Sequence, residues 1–389
     1  MTTRKTPDLV TLGIDLGRSE ARLYDGETLI TLPAILGGPV ATIRRGSSQV
    51  IDETLDTHLT VKLGAKTYSV GRYALEQPYH LPLNDLDLFA DDLNLVMLLS
   101  LLGLYARQKG LEGTPKFKLC IGLPVALSRR TDYVETHLRA WERLHTFDLS
   151  GRAMAVDIAQ IDVIPQPVGA VYAGLLAGQL DYAPDENIGV IDPGHLTTDW
   201  VVVRLPNELA NYSGFSTAAA GLRLTDAVSN TLADEGVLRL DPVALMEAAA
   251  TGQYVHNGAT YTVPAEVLDE LVEMMALQIA LTVKQSWRDL SIDRMLLVGG
   301  FGRLLYPHLT QHPYFKDLQL AQDHRYFNVK GAYEYAIAAP LREGLAAPTP
   351  VASPSVRETK VAKSAPALEP EAVVTEPTTA ETAAVEVEA

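Results

Sequence analysis

Two short segments of the chain place an aspartate at the end of an apolar run and a glycine two positions later. They are residues 13–17 (GIDLG) and residues 190–194 (VIDPG). Each is followed by a polar turn and a second apolar run, which predicts a strand-turn-strand hairpin. The two aspartates, Asp15 and Asp192, are 177 residues apart (192 − 15). A repeat at this distance predicts two related domains whose hairpins face each other across a cleft.

The turns of the two hairpins have the residue types that bind a phosphate chain. Glycine lets a ligand approach the backbone closely, and consecutive turn amides form a concave site for an anion. Gly17 and Ser19 in the first hairpin, and Gly194 and Thr197 in the second, are placed to supply such amides. Either hairpin alone would also fit an ordinary tight turn with a capping aspartate, so it is the repeat that favours a binding site.

A triphosphate needs a divalent cation beside it. Mg²⁺ prefers oxygen ligands and retains most of its waters. Asp15 and Asp192 each end a buried strand, so they are predicted to hold Mg²⁺ from opposite sides through its waters. The dipeptide Gly-Lys does not occur in the chain, which excludes a P-loop of the GxxxxGK[ST] type.

A third segment, residues 296–302, is an apolar run that enters a cluster of glycines. Gly299, Gly300 and Gly302 lack side chains, which would let a flat ring and a ribose lie against the backbone. Such a segment is also common as a plain loop, and by itself it is a weak indication of a nucleotide.

The segments between these motifs alternate strand and helix patterns. Short apolar runs predict strands, and apolar residues at helical spacing predict helices. The alternation indicates an α/β protein with mostly buried sheets. The predicted strands are residues 10–15, 21–24, 116–122, 188–192, 200–204 and 294–298, and the predicted helices are residues 91–107 and 267–290.

The composition is that of a globular protein, with 47% of the 389 residues hydrophobic and 21% charged. The net charge of −16 argues against direct binding to a nucleic-acid backbone, because that affinity depends mainly on Lys and Arg. The single cysteine, Cys120, excludes a disulfide within the chain. No apolar targeting segment is visible at the N-terminus, and the apolar stretch at residues 93–106 is too short to span a bilayer. We therefore expect a soluble, cytoplasmic protein that does not bind membranes.

The composition changes after about residue 340 to Ala, Pro, Thr, Val and Glu. No aromatic residue follows Tyr335, and residues 365–389 contain glutamates but neither Lys nor Arg. Such a segment buries too little apolar area to offset its conformational entropy. Residues 341–389 are therefore predicted to be a disordered acidic tail.

The order of the motifs is similar to that of the superfamily of actin, sugar kinases and large heat-shock chaperones. Residues 10–23 resemble its first phosphate motif, and residues 188–202 resemble the second. Residues 163–174 resemble the first connecting helix, residues 296–302 the adenosine motif, and residues 329–333 the second connecting segment. The resemblance covers roughly residues 9 to 340. It implies an α/β, actin-like ATPase fold with two duplicated ribonuclease-H-like lobes around a nucleotide cleft.

Three further segments resemble the ParM-like and archaeal branch of prokaryotic actin-like proteins. Residues 121–124 (IGLP) are similar to the strand and turn that close the first lobe. Residues 68–71 (YSVG), followed by Ala74, are similar to a motif in the N-terminal domain, and residues 220–226 resemble the entry to the small subdomain of the second lobe. Sugar kinases of this fold are usually longer, and the chaperones carry an additional substrate domain.

The resemblance implies a division of the chain into lobes and flanking segments. It assigns residues 1–8 to a flexible N-terminus, 9–167 to the first lobe with a small subdomain at about 33–85, 168–325 to the second lobe with a small subdomain at about 221–285, 326–340 to a segment that returns to the first lobe, and 341–389 to the tail.

The resemblance also implies roles in the cleft. Gln166 and Asp192 would be catalytic, with Gln166 orienting the attacking water, and Asp199 stands where actins carry a second residue that contacts water. Arg22 stands where a phosphate-binding Lys is common; Arg keeps the charge but is bulkier. The residues implied to bind the nucleotide are Asp15, Gly17, Arg18, Ser19, Arg22, Gly194, His195, Thr197, Gly221, Gly299, Gly300 and Gly302.

The function implied is an ATPase that binds ATP and Mg²⁺ between its lobes and assembles with its own copies into nucleotide-dependent filaments. Such filaments would serve plasmid or DNA segregation, through a DNA-binding adaptor protein, or intracellular positioning. Two alternatives remain open: an actin-fold kinase of a small molecule, and an actin-like scaffold that does not hydrolyse nucleotide. A kinase would need a catalytic base, for which Asp199 is the candidate. ATP turnover without an added acceptor distinguishes the three.

Overall fold

The computed structural model describes residues 9–40, 58–77, 79–82, 92–176, 186–204, 213–218, 221–237, 240–256 and 258–343, all of which belong to one compact unit. The flexible N-terminus predicted at residues 1–8 lies outside the described residues. So does the predicted tail, except that the last described helix continues three residues into it, to Glu343.

The first lobe is built on one sheet, in which the described residues form ten strands. The order across the sheet is β3-β2-β1-β8-β10-β9-β5-β6-β4-β7, with the strand bounds given below. The first three strands are an antiparallel meander, whereas the fourth and fifth in this order run parallel to the first. The bounds are β1 (Val10–Leu16), β2 (Glu20–Tyr24), β3 (Leu29–Pro33), β4 (Ile35–Val40), β5 (Thr60–Leu63), β6 (Lys66–Val70), β7 (His80–Pro82), β8 (Lys116–Leu123), β9 (Leu144–Leu149) and β10 (Arg152–Pro165).

Strand β10 joins the two halves of this sheet. Its second half pairs with β8 in parallel, and its first half pairs with β9 in the antiparallel sense. The register shifts between Ile158 and Gln160, as expected at a β-bulge. The strand therefore connects the sheet of the first hairpin to the smaller sheet formed by β9, β5, β6, β4 and β7.

The helices of the first lobe flank this sheet. The second of them is buried at every position from Asn94 to Ala106, as expected for a helix that is apolar on all faces. Its side chains belong to the same core as those of β1, β2 and β8. The bounds are α1 (Arg72–Leu75), α2 (Asp92–Gln108), α3 (Val125–Ser128), α4 (Thr131–His137) and α5 (Gln166–Leu176), with a 3-10 helix at Arg139–Trp141.

The second lobe repeats the first hairpin and its sheet. Five strands have the order β13-β12-β11-β16-β17, again with an antiparallel meander followed by two parallel strands. This is the order and direction of β3-β2-β1-β8-β10, which confirms the predicted fold of two duplicated α/β lobes. The bounds are β11 (Asn187–Pro193), β12 (Thr197–Arg204), β13 (Ser213–Ala218), β16 (Arg294–Leu297) and β17 (Leu318–Leu320), and a separate hairpin is formed by β14 (Gln253–His256) and β15 (Ala259–Thr262).

The helices of the second lobe include the long helix predicted at residues 267–290. That helix begins two residues earlier and ends four residues earlier than predicted, because Trp287 leaves helical geometry and packs its buried ring against Gly189. The bounds are α6 (Gly221–Asp234), α7 (Pro242–Thr251), α8 (Ala265–Ser286), α9 (Gly302–Leu309) and α10 (Phe327–Glu343), with 3-10 helices at Pro313–Phe315 and His324–Tyr326. No helix among the described residues is long and apolar enough to cross a membrane.

Helices α5 and α10 cross at a point where their backbones touch. A Cβ atom on Gly331 would overlap the backbone of Gly169, and a Cβ atom on Gly169 would lie 3.3 Å from the backbone oxygen of Asn328. A Cβ atom on Gly13 of β1 would likewise overlap the backbone of Val329. Absence of side chains at these glycines therefore sets how closely α10 packs on α5 and on the first sheet.

Replacing Gly331 with Ala is expected to lower the free energy of unfolding by about 1–3 kcal/mol, because backbone atoms cannot rotate away from the new methyl group as a side chain would. Equilibrium denaturation in urea measures the change. The matched control is Gly302→Ala at the start of α9, where a Cβ atom would lie 3.5 Å from its nearest neighbours. Equal effects of the two substitutions would contradict the close crossing.

Candidate functional site

The two hairpins face each other across a cleft with about 590 Å³ of empty space, part of which is open solvent. Most of the site residues predicted from the sequence line it. They are Asp15, Gly17, Arg18, Ser19, Arg22, Gln166, Asp192, Gly194, His195, Thr197, Gly299 and Gly300.

The duplicated hairpins differ in the residue that stands opposite the aspartate. In the first hairpin Asp15 pairs across the strands with Arg22, and in the second Asp192 pairs with Asp199. The two partners occupy equivalent positions, seven residues after each aspartate. One aspartate therefore faces a cation and the other faces a second carboxylate.

Asp15 is buried, and its carboxylate accepts one hydrogen bond from a guanidinium group and one from an amide group. Arg22 Nη1 donates to Oδ2 at 2.7 Å, and Gln166 Nε2 donates to Oδ1 at 2.8 Å. Arg22 also donates from Nε to Glu20 at 2.9 Å. Burial by itself would lower the pKa of Arg22, but the carboxylates of Asp15 and Glu20 outweigh it and raise the pKa above its usual value.

This arrangement changes the role expected for Arg22. The guanidinium lines the cleft, but two of its nitrogens already donate to buried carboxylates. It therefore neutralises the floor of the cleft and holds Asp15 in place, which differs from the phosphate contact implied by the position of the usual Lys.

The ion pairs continue from Glu20 to the second lobe. Arg325 donates to Glu20 at 3.2 Å and to Glu247 on α7 at 3.4 Å. The ring of Tyr326 lies 5.7 Å from the guanidinium carbons of both Arg22 and Arg325, within reach of a cation–π interaction. A chain of alternating charges thus links the first hairpin to α7.

Asp192 has a different environment. Asn328 Nδ2 donates to its Oδ2 at 2.7 Å. Burial, reinforced by the carboxylate of Asp199, raises the pKa of Asp192 to about 7 against the opposing effect of the Asn328 hydrogen bond. Near neutral pH this carboxyl group is therefore partly protonated and partly ionised, and a nearby cation would favour the ionised form.

Each of the two connecting helices donates a side-chain amide hydrogen bond to one of the two aspartates. Gln166 is the first residue of α5 and donates to Asp15, and Asn328 is the second residue of α10 and donates to Asp192. The duplication therefore extends from the hairpins to an amide side chain at the start of each helix. Gln166 was predicted from the sequence, whereas Asn328 was not.

Asp199 does not line the cleft. Its Oδ1 accepts the backbone N–H of Val125 at 2.9 Å, and its Oδ2 accepts the hydroxyl of Thr197 at 2.8 Å. Since Val125 begins α3 of the first lobe, this carboxylate joins the two lobes beside the cleft. The structure thus gives Asp199 a contact that positions the two lobes, and its contact with a catalytic water stays a prediction.

His195 lies in the turn of the second hairpin and is buried. Burial lowers its pKa to about 4, so the imidazole is neutral at pH 7. Its Nδ1 atom has no hydrogen-bond partner within the described part of the chain, and neither does Oδ1 of Asn328. Buried polar atoms normally have partners, so these two indicate space for a polar ligand in the cleft.

The predicted glycines fall into two groups. Gly299 has φ +83°, and a Cβ atom there would overlap Asp192; a Cβ atom on Gly300 would lie 2.5 Å from Met246. Gly221 and Gly302 do not line the cleft. Gly221 instead donates its N–H to Gly194 at 3.2 Å and leaves room for the ring of Phe301, so it supports the second turn from behind.

Some residues of the cleft were not predicted from the sequence. They are Leu16, Pro124, Leu196, Met246 and Asn328. Leu16 and Leu196 lie within the two hairpin motifs and Pro124 ends residues 121–124, whereas Met246 and Asn328 reach the cleft through tertiary packing.

The arrangement fits an anionic ligand with a hydrated divalent cation. Each hairpin turn contains a glycine at which a Cβ atom would crowd the backbone of the same hairpin. That Cβ atom would lie 2.5 Å from Glu20 O at Gly17 and 3.0 Å from Thr197 O at Gly194. In the described residues no three His, Cys, Asp or Glu side chains converge on one point as metal ligands. The carboxylates of Asp15 and Asp192 are suited to a cation such as Mg²⁺, which keeps most of its waters.

Removing the guanidinium of Arg22 is expected to destabilise the fold strongly. Arg22→Ala leaves the buried Asp15 without a counter-ion and leaves Glu20 with Arg325 alone, which should cost about 3–5 kcal/mol of unfolding free energy. The control, Arg72→Ala, breaks the ion pair with Asp241 in which the Arg72 side chain is 67% exposed, and should cost at most about 1 kcal/mol. Urea denaturation compares them, and similar losses would argue against a structural role for Arg22.

The pKa of Asp192 makes the ligand-free protein less stable as pH rises. The folded state keeps the proton up to about pH 7, whereas the unfolded state loses it near pH 4. Between these values the unfolding free energy should fall by up to about 1.4 kcal/mol per pH unit. Asp192→Asn should remove this part of the pH dependence of the unfolding free energy. The control, Asp269→Asn at an exposed position, should leave it unchanged. A slope unchanged by Asp192→Asn would show that its pKa is not raised.

Two protein-family models match the chain. Residues 13–169 match the actin-like proteins' N-terminal domain, and residues 190–311 match the C-terminal domain of archaeal actin homologues, described as MreB-like. A search of the curated proteins finds no match to this sequence.

Solved structures with a similar fold include archaeal and bacterial actin homologues. The archaeal actin homologue Ta0583 in complex with ADP has a TM-score of 0.62 and 19% identity, covering 84% of this chain and 99% of its own. A 15-stranded ParM filament from Clostridium botulinum has a TM-score of 0.66 and 20% identity, covering 85% and 99%. Bacillus thuringiensis ParM with ATP has a TM-score of 0.61 and 14% identity, covering 86% and 100%. At these identities the similarity is one of fold.

Proposed function

We propose that this chain, which belongs to the actin-like proteins, binds Mg-ATP between its lobes, hydrolyses it, and assembles into filaments that depend on the nucleotide. The observation that carries the proposal is the pair of unlike aspartates in the cleft, each held by an amide from a connecting helix. The relatives with bound ADP and ATP, and the ParM filament, support the choice of ligand and of assembly.

In this proposal the ionised form of Asp192 and the carboxylate of Asp15 hold the waters of Mg²⁺. The metal supplies neutralisation of the phosphate charge, and the turns at Gly17 and Gly194 supply backbone donors. Because Arg22 cancels the charge of Asp15, the floor of the cleft carries less negative charge than its carboxylates alone would give. A polyphosphate would meet correspondingly less repulsion there.

In this proposal Gln166 orients the attacking water. Its Nε2 donates to Asp15, which leaves its Oε1 as an acceptor at the edge of the cleft. Phosphoryl transfer depends on positioning and charge neutralisation more than on covalent chemistry, so a neutral amide is sufficient. Buried His195 is neutral and can donate one hydrogen bond to a phosphate oxygen without adding charge.

Closure of the lobes would couple the nucleotide to assembly. Contacts that join the lobes include Asp199 with Val125 beside the cleft, and Arg72 with Asp241 at 2.9 Å. A head-to-tail contact that does not close on itself yields a filament rather than a ring. We propose segregation of plasmid or other DNA through an adaptor protein, or intracellular positioning, as the process that such a filament serves.

The kinase alternative loses its candidate base. Both carboxylate oxygens of Asp199 accept hydrogen bonds that fix the second hairpin and α3, and the residue does not line the cleft. A proton acceptor for a substrate hydroxyl would have to come from elsewhere in the cleft.

The function is tested by measuring phosphate release and light scattering after addition of Mg-ATP without any acceptor. We expect turnover together with polymer that disassembles as ATP is consumed. Asp192→Ala is expected to abolish turnover while the circular dichroism spectrum stays native. Absence of turnover in the native chain, or full turnover in the variant, would overturn the proposal for the site; turnover without polymer would overturn only its filament part.

Gln166→Ala is expected to lower the rate of ATP hydrolysis by about 10²-fold, because the water loses its orienting acceptor. The affinity for a non-hydrolysable ATP analogue should change much less. The control is Gln160→Ala, an exposed glutamine on β10 whose hydrogen bond to Asp162 lies outside the cleft. Single-turnover kinetics separates binding from hydrolysis, and an unchanged rate would remove Gln166 from the mechanism.

A further inference from the structure

Helix α8 is apolar on two faces, of which the second lobe covers only one. Its inner side chains are buried in the core of that lobe; Val272, Ile279 and Val283 are examples. Its outer face exposes Val267, Met274, Leu277 and Leu281, to 37%, 49%, 55% and 55% of their surface. A surface helix normally has charged or polar residues on its outer face, so this second apolar face indicates a partner.

The exposed residues form two rows at helical spacing. One row contains Val267, Met274 and Leu281, seven residues apart, and the other contains Glu270, Leu277 and Lys284, also seven residues apart; all are exposed. Residues three and four apart lie side by side on a helix, so the two rows make one continuous strip. We call these six residues the α8 strip.

Charge is distributed unequally along the α8 strip. The half before Leu277 carries Glu270, with the exposed Glu266 and Glu273 beside it, and the half after Leu277 carries Lys284, with Arg288 in the turn just after the helix. Glu270 and Lys284 lie at equal distances of seven residues on either side of Leu277. The strip is therefore complementary to a reversed copy of itself.

We propose that the α8 strip joins two copies of this chain side by side, with their α8 helices antiparallel about a two-fold axis at Leu277. In that arrangement Leu277 meets its own copy, Met274 meets Leu281, and Glu270 meets Lys284 on both sides of the axis. A two-fold interface presents the same patch from each subunit, which is what a self-complementary strip provides. A parallel arrangement would instead place Glu270 against Glu270 and Lys284 against Lys284.

The pairing is independent of the cleft, because none of the strip residues lines it. A single pair of helices is a small interface, and contacts below about 1,200 Å² are typically weak. If the chain also forms filaments, the same contact repeated along two of them would add up through avidity. The test is made without nucleotide, so its failure leaves the proposed ATPase untouched.

The first experiment uses oxidative cross-linking. Cys120 is buried, so the native chain provides a background without an accessible thiol. Leu277→Cys is expected to form a disulfide-linked dimer. Val267→Cys is the matched control: in the antiparallel pair its two copies are about 30 Å apart, given a rise of 1.5 Å per residue, which no disulfide can bridge. Absence of a dimer for Leu277→Cys, or equal dimer for both variants, would overturn the proposal.

The second experiment exchanges charges and measures dimerisation by sedimentation equilibrium at low salt. Glu270→Lys and Lys284→Glu should each weaken the dimer about tenfold, since each places two like-charged pairs across the axis. The double variant should return to within about twofold of the native chain. All these side chains are exposed, so the unfolding transition should not change. The proposal would be overturned if the native chain stays monomeric because another segment or another protein covers the strip. It would also be overturned if the double variant does not recover the dimerisation of the native chain.

Discussion

The ion pair between Arg22 and Asp15 is the interaction on which the cleft depends. It allows a carboxylate to be buried at the end of β1, where it accepts the amide of Gln166. Through Glu20 and Arg325 the same guanidinium is linked to α7 in the second lobe. Without a cation at this position, Asp15 would be buried without a counter-ion, at a cost of about 3–5 kcal/mol out of a total stability of about 5–15 kcal/mol.

The duplicated lobes therefore produce a cleft whose two sides are not equivalent. The first side is neutralised within the protein, and the second retains a carboxyl group whose pKa of about 7 reflects burial and a neighbouring aspartate. The glycine crossing of α5 and α10 brings both connecting helices close enough for Gln166 and Asn328 to reach their aspartates. Fold and site thus share one requirement, the close approach of two helices beneath two hairpins.

Much of this organisation could be predicted from the sequence. The two Asp-x-Gly hairpins, their repeat, the glycine cluster after β16 and the position of Gln166 are local patterns, and their strands begin and end within a few residues of where they were predicted. Local patterns could not reveal that Asp199 reaches the N-terminus of α3, because that contact depends on how the two lobes face each other. Asn328 lies in a segment without a motif, and only the equivalence of α5 and α10 identifies it.

The exchange of Arg for Asp at equivalent positions of the two hairpins has a consequence for how such a protein can be encoded. Two identical half-length chains, paired about a two-fold axis, would have either arginine on both sides or aspartate on both sides. The first choice would neutralise both aspartates within the protein, and the second would remove the guanidinium that pairs with Asp15 and Glu20. A single gene that carries both halves escapes this restriction, because each half can mutate separately. The asymmetry of the cleft is therefore a property that two identical halves could not have.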